Sequence, residues 1–116
     1  MNIDTVLHHY IVCALWSSTD DDGDSLDYYD IEDIDPDTLE AMRADVINFL
    51  EDNREILEES GLSDDSIGDD FWLTRNRHGA GFWDRGLGEI GQKLTKVCHS
   101  YGEVYLYISD NGKVCQ

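Results

Sequence analysis

The chain has 116 residues, 41% of them apolar, and carries 26 Asp and Glu against eight Lys and Arg, a formal charge of −18. That length suits one ordinary domain and not two, and the apolar fraction is enough to bury a core, which excludes a disordered chain. The charge is unevenly placed: residues 1–70 hold 22 acids and two Arg, a net of −20, whereas residues 71–116 hold four acids and six bases, a net of +2.

A high-salt adaptation would spread acid over every exposed surface, so the split argues against one. Phosphates and anionic lipids are repelled by the first half, which disfavours nucleic acid and membranes as its partners. A basic protein surface, a metal ion or no partner at all are left.

In chain order, Ile3, Val6, Leu7, Tyr10, Ile11, Ala14 and Leu15 recur at helical steps and predict an amphipathic helix over 3–16. Its polar face, with Asp4, His8 and His9, reads as neither a signal peptide nor a membrane span. Residues 17–35, with nine acids and no Lys or Arg, read as an acidic connection that is either functional or loosely ordered. Asp35 and Pro36 then start a second helix as N-cap and first helical residue, with Ile34 and Leu39 placed for a hydrophobic staple. Its stripe runs through Met42, Val46, Phe49, Leu50 and Leu57 to a stop at Gly61.

After a polar stretch, Phe71–Arg75 and Phe82–Arg85 predict two strands around a Gly-bearing turn. A third helix follows over 87–101, striped by Ile90, Leu94, Val97, Cys98 and Tyr101. Val104, Leu106 and Ile108 alternate with tyrosines as in a half-buried strand, and Asn111-Gly112 turns it into a short last strand at 113–115. The expectation is a single α+β domain over 1–116, a small antiparallel sheet of two hairpins packed against about three helices, with an acidic loop at about 17–35.

The acidic run fits no EF-hand register: from Asp20 the sixth and twelfth positions hold Ser25 and Ile31, and from Ser18 they hold Gly23 and Tyr29. Its carboxylates invite comparison with DNA phosphates, spaced at one charge per ~1.7 Å of duplex axis. Residues 36–59, a net of −6 over roughly 36 Å of helix, are too dilute alone, so a mimic must use the denser run before them. A solvated face is the commonest meaning of such runs. The partner-binding candidates are Asp20, Asp21, Asp22, Asp24, Asp27, Asp30, Glu32 and Asp33, with Tyr28 and Tyr29 as apolar anchors.

The turn region gathers Arg75, Asn76, Arg77, His78, Trp83, Asp84 and Arg85, an alternative ligand or nucleic-acid site built from arginines and glycine amides. His78 with Asp84 would be the acid–base pair of a small hydrolase, but no nucleophile of known spacing accompanies them. The structural alternative is that the aromatics fill the core and an Arg–Asp pair ties the region together. Gly86-Leu87-Gly88-Glu89-Ile90-Gly91 matches a dinucleotide fingerprint, yet too little chain follows for a parallel βαβ unit. Three cysteines without CxxC spacing read as reduced thiols of a cytoplasmic protein, and no metal or other cofactor is expected.

The stretch 70–86, DFWLTRNRHGAGFWDRG, with ALWSSTD at 14–20 and Asp110-Asn111-Gly112-Lys113-Val114, resembles a group of small uncharacterised bacteriophage proteins. They share a DFWLTRNxHGxGFWDRG core, an acidic middle and a DxGKV-like tail, so the likeness spans nearly the whole chain. Arg77 departs from it, standing where the group tends to have a small residue. The resemblance implies a phage source and a bacterial cytoplasm, and it transfers no activity and no site residue. Phages also encode small acidic proteins that block host enzymes by imitating DNA, an analogy of charge and size. The expected function is binding rather than catalysis, as a DNA-mimic-type inhibitor of a host protein with a basic surface.

Overall fold

The structure, a computed structural model, describes residues 1–20 and 22–116. Five α-helices carry the fold among these residues: α1 (Ile3–Ser17), α2 (Pro36–Asp52), α3 (Arg54–Ser60), α4 (Asp64–Arg75) and α5 (Glu89–Tyr101). They are followed by a two-stranded antiparallel ladder, β1 (Tyr107–Ile108) with β2 (Val114–Cys115), in the register Tyr107 to Cys115 and Ile108 to Val114.

α1 buries Val6, Leu7, Tyr10, Ile11, Ala14 and Leu15, the stripe its spacing predicts, and the Asn2 side chain caps its first turn by accepting from the Thr5 N–H. α2 starts where Asp35 and Pro36 dictate, the Asp35 carboxylate accepting from the Asp37 N–H. The single helix expected to reach Gly61 is instead broken at Asn53, whose side chain donates to the Phe49 carbonyl and so ends α2. α3 then runs to Gly61, which takes the left-handed conformation of a helix stop at φ 70°.

The α+β expectation is overturned: the domain is mostly helical, and only one of the two hairpins forms, reduced to two residues on each strand. Phe71–Arg75 is the last part of α4 and Phe82–Asp84 a single 3₁₀ turn, so no strand exists at either place. Ser63 caps α4 by accepting from the Ser66 N–H, and Asp64 and Asp65 complement the dipole of its first turn. A polar stretch read as a connection is thus a helix start. Ile67, Phe71 and Arg75, three residues joined by two successive steps of four, run along the buried face.

α1 lies on α4 in the most extensive helix contact. Gly68 permits it, because a methyl group there would overlap the Val6 carbonyl and crowd His9 and Tyr10. Between these helices, α2 and α5 sits an aromatic cluster. Phe49 stacks on Phe71 with centroids 4.1 Å apart, and Tyr10 and Tyr101 meet Phe71 at 5.3 Å and 5.1 Å.

Arg75 enters this cluster from the end of α4, with only 3% of its surface exposed. Its guanidinium makes four hydrogen bonds: Nε to the Gly102 carbonyl at 2.9 Å, one terminal nitrogen to the Tyr10 hydroxyl at 3.0 Å and Asp45 at 2.8 Å, and the other to the Tyr101 carbonyl at 3.1 Å. The cation also lies 5.5 Å and 5.6 Å from the ring centroids of Phe71 and Tyr101. Burial alone would lower its pKa, and the facing Tyr10 and Asp45 reverse that effect, so the charge is kept. Burial in turn pushes the Tyr10 hydroxyl up to about 12.

A lysine ammonium cannot span carbonyls, a phenol and a carboxylate at once. Arg75→Lys is expected to destabilise the fold by about 2 kcal/mol or more, read as a lower urea midpoint with an unchanged slope.

Candidate functional site

The acidic segment has a definite path from α1 to the C-terminal ladder. Thr19 and Ser25 form an antiparallel bridge that opens and closes a tight loop. Inside it the Asp20 carboxylate accepts from the backbone N–H groups of Asp22 at 2.9 Å and Asp24 at 3.0 Å. Two 3₁₀ turns follow, Leu26–Tyr28 and Ile31–Asp33. Ser25 caps the first, and Asp30 and Asp33 cap the second reciprocally, each carboxylate accepting one backbone N–H at 3.0 Å.

The segment is anchored by apolar residues at both ends. Leu26 is fully buried beside α1, and Ile34 is buried and bridges Val114, while the Asp35 N–H donates to the Val114 carbonyl at 2.9 Å. Asp22, Asp24, Asp27, Asp30 and Glu32 are exposed, and Asp20 and Asp33 half-exposed. Of the two expected anchors, Tyr28 stands in solvent at 87% exposure, and Tyr29 is half-buried against the core. Asp21 lies outside the described residues.

One cation touches the described part of the segment: the Lys113 ammonium donates to the Glu32 carbonyl at 3.4 Å, and the chain's ion pairs lie elsewhere. Among the described residues Arg43 meets Asp4 at 3.3 Å, Arg75 meets Asp45, and Arg85 meets Asp70 at 2.8 Å. His9 lies 3.2 Å from Asp65 and 3.7 Å from Asp69. No described carboxylate between Asp20 and Glu40 has such a partner.

The region from Arg75 to Arg85 is held from within. Arg75 is sealed in the core. Asn76 donates to the Trp72 carbonyl at 2.9 Å and accepts from the Val104 N–H at 2.8 Å, which fastens the chain after α5 to the end of α4. Thr74 accepts from the Phe82 N–H at 3.1 Å, and a side chain on Gly81 would collide with that hydroxyl. Asp84 turns back to accept from the Gly81 N–H at 3.3 Å. Arg85 reaches Asp70 with two parallel hydrogen bonds of 2.8 Å and 3.0 Å.

As an anion cradle the turn therefore keeps only Arg77, which is exposed at φ 57°, with His78 beside it and Trp83 half in solvent. His78 lines a polar cavity of about 210 Å³ with Ser17, Asn76 and Glu103, and Asp84 is not among its walls. Trp72 is core, its indole N–H donating to Ser17 at 2.8 Å. Glu89, Ile90 and Gly91 of the GxGxxG run lie in the first turn of α5, followed by an antiparallel ladder and not a parallel sheet.

One feature escaped the sequence. Val12 and Trp16 on α1 lie four residues apart outside the buried stripe and remain 47% and 70% exposed. They line an apolar groove with Tyr29 and Ile31 of the acidic segment. A second apolar pair at helical spacing was the available signal.

No protein-family model, curated protein or solved structure matches the chain. Among the described residues, no helix is long and apolar enough to cross a membrane, and no cluster of three or more His, Cys, Asp or Glu is placed to hold a metal ion.

Burial raises the Asp70 carboxyl above its usual range, and the Arg85 hydrogen bond opposes it. Arg85→Ala removes only the opposing force. A carboxyl whose folded-state pKa exceeds its unfolded value stabilises fully below the unfolded value and loses that contribution as pH rises through the folded one. The deficit of Arg85→Ala is expected to be small near pH 4 and to grow to about 3 kcal/mol at neutral pH. That is the low end for a broken buried pair, because Arg85 is partly exposed. Urea unfolding of both proteins across the range checks it.

Proposed function

We propose that this protein acts by binding, laying its acidic segment on the basic, nucleic-acid-binding surface of a host protein and so inhibiting it, as a phage accessory protein of the DNA-mimic type would. The observation that carries the reading is a run of carboxylates tied by local hydrogen bonds and, among the described residues, joined to no Lys, Arg or His by a salt bridge. Fixing the charges beforehand lowers the ordering cost of association, and leaving them unpaired keeps their field available for steering and complementarity.

α2 contributes less. Its Asp45 faces inward to Arg75, and Arg43 on its surface pairs with Asp4. The mimicry therefore rests on Asp20, Asp22, Asp24, Asp27, Asp30, Glu32 and Asp33. Placing the ligand at the 75–85 turn is the weaker reading, since Arg75 and Arg85 are committed to Asp45 and Asp70.

Replacing Asp20, Asp22, Asp24 and Asp27 by Asn discharges the loop while an amide oxygen still accepts the Asp22 and Asp24 N–H groups. In a bacterial lysate at low salt, the native protein is expected to capture a basic DNA-handling protein that duplex DNA or added salt releases. The four-Asn variant is expected to lose most of it. Equal capture by the two proteins, or no such protein captured by the native one, counts decisively against the proposal.

A further inference from the structure

The groove beside the acidic segment gives its partner a second chemical requirement. Val12 and Trp16 of α1 and Tyr29 and Ile31 of the segment line a groove of about 310 Å³, to which His8, Asp27 and Asp30 also contribute. Both acids are exposed and unpaired, and among the described residues no Lys or Arg lines the space. Large apolar side chains left in water mark a contact surface. The volume lies at the small end of ligand pockets, the scale of an anchoring side chain rather than of a cofactor.

We propose that this groove is the anchor point of the acidic face, taking a bulky apolar side chain carried on a lysine- or arginine-rich segment of the partner protein. The inference rests on the acidic-face reading above and adds to it the apolar half of the recognition. Charge complementarity selects the occupant. A nucleic acid meets the carboxylates with like charge, and a second copy docked through the same face brings Asp27 and Asp30 toward their own equivalents. A basic amphipathic segment satisfies floor and rim together, its cations on the carboxylates and its apolar residue against Trp16.

Two synthetic helical peptides of equal charge test this, one of leucine and lysine and one with serine in place of leucine. The native protein is expected to bind the leucine peptide about tenfold or more tightly than the serine peptide. Trp16→Ala, or Val12→Lys as a second variant, should abolish that preference; both positions are exposed, and unchanged circular dichroism would confirm that the fold persists. Asp27→Asn with Asp30→Asn should weaken both peptides and flatten the salt dependence.

Equal affinity for the two peptides, or a preference that survives both groove variants, overturns the anchor and leaves the acidic face standing. If neither peptide shows salt-sensitive binding, both readings are overturned. A dimer in sedimentation that Trp16→Ala dissolves would overturn the proposal by giving the groove to a second copy.

Discussion

The fold is organised around one cation in an apolar place. Arg75 comes from the last turn of α4 and is met by the Tyr10 hydroxyl of α1, Asp45 of α2 and the carbonyls of Tyr101 and Gly102 at the end of α5. Those carbonyls belong to the negative end of the α5 dipole, so the guanidinium supplies the donors that a helix C-terminus lacks inside a protein. Four helices are thereby referred to one planar group whose donors point in fixed directions. Desolvating such a group is unfavourable by several kcal/mol, roughly, unless its donors are used, so any arrangement that leaves one helix out is penalised. Apolar packing alone would tolerate small sliding of these helices, and the guanidinium does not.

Asp70 and Arg85 repeat this logic one turn earlier on α4. Asp70 is fully buried and would be costly unpaired, and Arg85 returns across the intervening turn to meet it. Two of the chain's few arginines are thus paired with its own acids at or beside the core, and a third is taken by Asp4 on the surface. These three arginines are therefore committed away from the acidic segment, where, among the described residues, Lys113 alone of the paired or hydrogen-bonded cations touches the chain, at the Glu32 carbonyl. Core architecture and surface field are in this sense one distribution of charge.

How much of this could be read beforehand depended on whether a residue's partners lie nearby in sequence. The start of α2 was legible because Asp35 and Pro36 act within one turn, and α1 because its stripe is continuous. The C-terminal ladder was legible from Asn111-Gly112, whose turn bonds Gly112 to Ser109. α4 was not. Its aromatic pair and alternating Phe71, Leu73 and Arg75 have the look of a strand, and its helical period shows only when Ile67, beyond two acids and a glycine, is counted. The function of Arg75 was hidden for a different reason: its partners lie 65, 30, 27 and 26 residues away. The acidic residues were visible as a set, whereas the groove joins two segments that only packing brings together.

The bridge from Ile34 to Val114, and the Asp35 N–H donated to the same residue, join points 80 residues apart. During synthesis the acidic strap leaves the ribosome long before residue 114 does, and until then only its Leu26 end has something to hold. The local turns can form early, but the Ile34 end is placed late. A nascent chain therefore carries the segment with its local turns but without its far anchor, which is gained only when folding closes across the whole molecule.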